Sequence, residues 1–157
     1  MSKWATSILC AVTATLCLSQ SVLASDWPTY LGDNARSGWS SEQLKPPFIE
    51  RWAYSSPNAP QRAWSGSKGR TVEGKELRDR VKFDDVFQVA LVGERVYFGS
   101  SVDHQVHCLD ADTGEELWSF FTGGPIRLAP TVHDGRLYVG SDDGHAYCLD
   151  AEDGQLI

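Results

Sequence analysis

Imidazole can carry a proton near neutrality or bind a metal, and the chain has four histidines, His104, His107, His133 and His145. His104 and His145 lie close in sequence to Asp103, Asp142 and Asp143, so this grouping is the one suited to contact an ion or a small ligand. Upstream, Trp64 with Arg62 and Arg70 nearby offers a stacking plate and cations; its competing role is an aromatic clamp that fastens a loop to a sheet. Asp110, Asp112, Gly114 and Glu115 superficially resemble a calcium loop. The EF-hand pattern places its glycine at position 6, whereas Gly114 is the fifth residue counted from Asp110. A tight turn between strands accounts for the same residues. No G-x-S-x-G elbow, Walker loop or strand-to-helix G-x-G-x-x-G occurs. The sequence therefore nominates no catalytic residue and no metal site.

An internal repeat sets where these residues fall. Arg95-Val96-Tyr97-Phe98-Gly99-Ser100 aligns with Arg136-Leu137-Tyr138-Val139-Gly140-Ser141 at an offset of 41. Cys108-Leu109-Asp110-Ala111-Asp112-Thr113-Gly114 aligns with Cys148-Leu149-Asp150-Ala151-Glu152-Asp153-Gly154 at an offset of 40. The runs are short, β-branched or aromatic, and bounded by Gly, Asp and Ser, which is strand chemistry. The first copy is expected to hold strands over residues 86–92, 95–99, 105–110 and 116–122, with turns at Gly93-Glu94 and Asp112-Thr113-Gly114. Val96 and Phe98 mark one face of the second strand and Tyr97 with Gly99 the other, so both faces need cover. An all-β, four-stranded unit of about forty residues, covered on both sides by copies of itself, is a propeller blade. Hairpins of a β-sandwich would show polar alternation instead.

Within this frame His107 takes the place of Tyr147, and His133 that of Val92, both structural positions. Asp110 recurs as Asp150, which favours turn capping over catalysis. Cys108 and Cys148 occupy the same place in adjacent sheets roughly 10 Å apart, with their Cβ atoms pointing the same way, so no disulfide is expected.

The run from Cys108 to Trp118 resembles the tryptophan-docking motif of PQQ-like, quinoprotein-type propeller repeats, with a small residue, Gly114 and Trp118 at its first, seventh and eleventh positions. Cys108 stands where that family usually has Ala. Cys148 and Gly154 are in register in the second copy, and the chain stops one residue before the expected Trp. Asp26-Trp27-Pro28-Thr29-Tyr30-Leu31-Gly32, with Gly38 after it, is similar to the lead-in of secreted proteins of this group. The resemblance implies a β-propeller of four-stranded blades, incomplete in this chain. Gly114 is expected to supply a positive-φ turn and Trp118 an apolar plate between blades, with Trp52, Cys108, Cys148 and Gly154 in the same docking roles. Enzymes of this group use PQQ and Ca²⁺, which need a catalytic Asp, carboxylate and amide calcium ligands, a Trp floor and, in the alcohol dehydrogenases, an adjacent-cysteine disulfide. None of these can be matched here, so no cofactor is assigned to the residues present.

The 157 residues carry 14 Lys+Arg against 21 Asp+Glu, a formal net charge of -7. Nucleic acid is excluded as a partner, since binding it begins with a basic face that releases counterions. Residues 1–24 combine Lys3, an apolar run and Val22-Leu23-Ala24, the pattern of a secretory signal peptide cleaved after Ala24. Thr13, Thr15, Ser19, Gln20 and Ser21 interrupt the run, so no stable membrane anchor is expected and the product is periplasmic or extracellular. The organisation that follows is a lead-in over 25–47, an orphan outer strand over 48–54 that closes the ring, a long polar loop over 55–85 with a short helix near 75–82, a complete blade over 86–122, and a truncated blade over 127–157. The chain thus reads as the amino-terminal part of a longer propeller, with the remaining blades as its first partners. The function expected is a binding or assembly scaffold, with a protein partner or small ligand on the loop rim. The alternatives are the front of a PQQ- and Ca-dependent dehydrogenase and a propeller fused to a separate catalytic domain.

Overall fold

Short apolar runs separated by turn residues can satisfy their backbone groups only by pairing, and the chain is built of antiparallel sheets. The computed structural model describes residues 25–58, 71–73, 75–76 and 87–157. Residues 1–24, expected to be a leader, together with Arg62, Trp64, Arg70 and residue 86, lie outside the described residues. β1 (Thr71–Val72) and β2 (Lys75–Glu76) form a small hairpin. Residues 75–76 are thus extended, against the helix expected over 75–82: Glu73 turns the chain at φ 52° and Lys75 pairs back onto Val72, while residues 77–82 lie outside the described residues.

β3 (Val89–Val92), β4 (Arg95–Gly99), β5 (Gln105–Asp110) and β6 (Glu116–Phe121) make a four-stranded meander in sequence order. β7 (Thr131–His133), β8 (Arg136–Gly140) and β9 (Ala146–Asp150) repeat its first three strands, and Leu156 adds one bridge to Leu149. β3 starts later than residue 86. Phe87 instead packs its ring on Phe98 and Tyr54, at centroid distances of 4.8 and 5.7 Å, and the Gln88 amide oxygen accepts from the Ala129 N–H. Residues 48–54 join no ladder among the described residues.

The core lies between the two sheets. Ala90, Tyr97, Val106 and Cys108 of the first face Val132, Leu137, Val139 and Leu149 of the second. A cross-strand row, Tyr97–Cys108–Trp118, defines that face, and the Tyr97 hydroxyl donates to the Ala151 carbonyl at 2.9 Å. The opposite face of the first sheet is covered by Tyr54, whose ring meets Phe98 at 4.9 Å. Matched positions show what cover does. Tyr97 is 3% exposed, whereas Tyr138, its counterpart on the open face of the second sheet, is 40% exposed. A Cβ added at Gly99 would lie 2.1 Å from Ile126, while one added at Gly140 would meet nothing within 4 Å.

The glycine and tryptophan of each motif serve different contacts. A Cβ on Gly114 would sit 2.6 Å from the Trp52 ring, and one on Gly154 would sit 2.6 Å from the Trp118 ring. Each tryptophan thus lies over the glycine of the following copy. Both glycines hold positive φ, 74° and 75°, so the position demands glycine for conformation and for clearance. Trp52 Nε1 donates to the Ala111 carbonyl at 3.0 Å. In the next copy the Tyr97 hydroxyl occupies the matching carbonyl of Ala151, and Trp118 Nε1 is buried without a protein acceptor.

Replacing Trp118 with alanine is expected to cost on the order of 3 kcal/mol by opening a cavity, and Gly154→Ala about 1 to 3 kcal/mol through strain. Because the two touch, the penalty of Gly154→Ala shrinks in the Trp118→Ala background. Urea unfolding of the four chains measures this; equal penalties in both backgrounds would leave the glycine with a purely conformational role.

Candidate functional site

The register fixes one rim of the molecule. Gly99 pairs with Val106 and Gln105 with Phe121, so the start of β3, the loop over 100–104 and the end of β6 lie at the same end, and the second sheet repeats the arrangement. Asp103, His104, Asp142, Asp143 and His145 all belong to this rim; the three carboxylates are engaged by neighbouring backbone and side-chain groups, while His145 stays exposed.

Asp103 accepts from the Gln105 N–H at 3.2 Å and meets His107 Nε2 at 3.2 Å. His107 Nδ1 lies 2.7 Å from Glu116, and its ring stacks on Phe98 at 4.9 Å. A bulge makes the second contact possible. Cys108 pairs with Trp118 but Leu109 pairs with Glu116, which puts Glu116 on the face of His107. Burial, with the nearby Asp103 and Glu116 carboxylates, raises the Tyr54 hydroxyl above its usual range. Asp143 is the counterpart of Asp103. It accepts from the Tyr147 hydroxyl at 2.6 Å, the Gly123 N–H at 2.8 Å and the His145 N–H at 2.9 Å. The Tyr147 bond above all, helped by the His145 and Gly123 N–H groups, holds its carboxyl down to about 2.

His104 adopts φ 61°, where the second copy has Gly144 at 88°, and its carbonyl accepts from the Thr122 N–H and hydroxyl. Asp142 pairs with Arg127 Nε at 2.6 Å. His145 lies 3.3 Å from Asp143 with a side chain 73% exposed. His133 is paired with Asp134 at the opposite rim. Among the described residues no three His, Cys, Asp or Glu side chains converge where a metal could sit. Cys108 and Cys148 are both free, and burial pushes the Cys108 thiol up to about 11, far from a reactive thiolate.

The rim does hold a cavity, lined by residues that the sequence reading did not nominate. Trp27 exchanges backbone hydrogen bonds with Leu91 at 2.7 and 2.9 Å, and the Val132 N–H donates to the Pro28 carbonyl at 2.8 Å. The lead-in therefore runs along the free inner edges of β3 and β7 and joins the two sheets. Thr29 and Thr131 share a hydroxyl hydrogen bond at 2.8 Å. Beyond them the chain folds back, with the Gly38 N–H donating to the Leu31 carbonyl and the Arg36 N–H to the Asp33 carbonyl, each at 2.9 Å. Between this loop and the inner strands lies a cavity of about 430 Å³ bounded by Thr29, Tyr30, Arg36, Gln88, Leu128, Ala129 and Thr131, a size at the lower end of small-molecule sites. A cavity of about 620 Å³ at the opposite rim is lined by Asp26, Glu94, Asp134, Asp150 and Glu152 among others. Only the spacing of the lead-in glycines hinted that residues 29–38 form a compact turn.

Asp143 gives a pH dependence. Its carboxyl titrates at about 2 in the fold against an ordinary 3.8, so the stability it contributes is present above the ordinary value and lost as pH falls from about 4 toward 2. Asp143→Asn is expected to lower the melting temperature at neutral pH, with the difference from the parent chain narrowing through that window. A constant difference down to pH 2 would contradict the assignment.

Comparison with known proteins agrees with this architecture. Residues 50–157 match the PQQ-repeat family described as outer membrane protein assembly factor BamB. A 62-residue stretch is 42% identical to lupanine 17-hydroxylase [cytochrome c] of a Pseudomonas species, covering 37% of this chain and 9% of that protein. The chain thus spans a small part of that relative. With repeated antiparallel sheets, tryptophan-on-glycine contacts and a match over residues 50–157, the chain belongs to the PQQ-repeat family of β-propeller proteins.

Proposed function

We propose that the chain is the leading part of an exported propeller that binds or assembles with partners and carries out no reaction itself. The observation that carries this reading is the use of the rim's polar groups: Asp103 braces His107, Asp143 braces Tyr147 and the Gly123 backbone, and Asp142 holds Arg127. Groups occupied in this way position loops. The family's description as an assembly factor supports the same reading. Residues 1–24 serve as a cleaved signal peptide, and no helix among the described residues is long and apolar enough to cross a membrane. Further copies of the repeat are the first partners. They cover Tyr138 and Cys148 as the second sheet covers Tyr97 and Cys108.

A second reading, the front of a quinoprotein oxidoreductase, is favoured by the stretch shared with lupanine 17-hydroxylase. The residues described do not suit that cofactor pair. PQQ carries three carboxylates, yet the 430 Å³ cavity offers one cation, Arg36, and no described acidic cluster could take calcium. Under this reading the chemistry resides in other parts of the protein.

Two measurements test the proposal on the natural full-length polypeptide. Amino-terminal sequencing of exported material is expected to begin at Ser25; an intact leader on that material would overturn export by cleavage. Titration with PQQ and calcium, followed by quinone-dependent dye reduction, is expected to give neither binding nor turnover. Saturable binding with dye reduction would establish the oxidoreductase.

A further inference from the structure

We propose that the cavity between the lead-in loop and the inner strands binds a small organic monocarboxylate, with Arg36 as its anchor; this rests on the binding-scaffold reading above. The walls make the argument. In a chain of net charge -7, this cavity has Arg36 and no acid among its lining residues, whereas the cavity at the opposite rim is lined by five acids against Arg95 and His133. Arg36 has no ion pair among the described residues. The nearest acid in sequence, Asp33, is already taken by the Ser37 hydroxyl and N–H at 2.6 and 3.0 Å.

The remaining groups narrow the ligand. A single planar guanidinium matches the two oxygens of one carboxylate, while a phosphate dianion would call for more positive charge than one arginine supplies. The Gln88 amide NH2, with its oxygen held by the Ala129 N–H, and the remaining valences of the mutually bonded Thr29 and Thr131 hydroxyls provide neutral donors and acceptors, and Tyr30 supplies a ring against which a flat body can lie. Arg36 is itself held at φ 55° by the loop's own hydrogen bonds, so its backbone is set before any ligand arrives. The site spans the lead-in and both inner strands, and occupation would tie them together.

The test uses the full-length exported protein with benzoate as the probe, read by amide NMR shifts. Saturable shifts at Thr29, Arg36, Gln88 and Thr131 at millimolar benzoate are expected. Arg36→Gln is expected to weaken binding by about tenfold or more, with an unchanged far-UV spectrum, and Arg36→Lys to retain part of it. Benzamide, the neutral analogue, should leave these signals unmoved. The proposal is overturned by the absence of saturable shifts, by equal binding of benzamide, by undiminished binding in Arg36→Gln, or by inorganic phosphate binding as tightly as benzoate. Dye-coupled oxidation of a bound carboxylate would support the site while overturning the non-catalytic reading, so the two fail separately.

Discussion

A sheet with apolar side chains on both faces must be covered twice, and every other feature of this chain follows from that requirement. The first sheet meets it. One face is closed by the second sheet through Tyr97, Cys108 and Trp118, and the other by Tyr54 and Phe87 around Phe98 and His107. The second sheet has the same sequence pattern with one face covered, and there Tyr138 and Gly140 face open space. Matched positions of the two repeats, such as Tyr97 and Tyr138 or Gly99 and Gly140, show what a neighbour contributes.

The same requirement explains how the polar groups of the rim are used. Each copy must fix its loop rim against the next, and it does so with one acid per loop, Asp103 or Asp143, bound to the ring at position 107 or 147. The aromatic two residues beyond each docking tryptophan, Tyr54 or Phe120, then packs on that ring at 6.0 or 5.8 Å. Histidine and tyrosine are interchangeable here because each presents a flat ring with a polar tip to a carboxylate. The lead-in performs a related task at the inner edges, where unpaired strand backbone would otherwise be exposed.

Much of the architecture was legible because it repeats. Arg95–Gly99 and Gln105–Asp110 were read to the residue from β-branched and aromatic runs that recur in the second copy. The tryptophan contact was legible as to its partners but not its pairing, since the eleven-residue motif suggests that Gly114 and Trp118 belong together while each touches a residue of a neighbouring copy. The cavity was illegible for a different reason. Trp27 and Pro28 reach the inner strands through backbone groups, which leave no trace in side-chain pattern, so Arg36 and Gln88 could not be placed near each other. Glu116 was likewise hidden by a bulge that reverses the face expected from simple alternation.

The two repeated cysteines test the central claim most directly. Thiol labelling of the 157 residues alone, without the further copies proposed to cover Cys148, and resolved by the masses of the peptides bearing each cysteine, compares Cys108, fully buried between sheets, with Cys148 on the open face. The account predicts rapid modification of Cys148 and strong protection of Cys108. Equal rates at the two positions would contradict it, because shelter would then not depend on a neighbouring repeat.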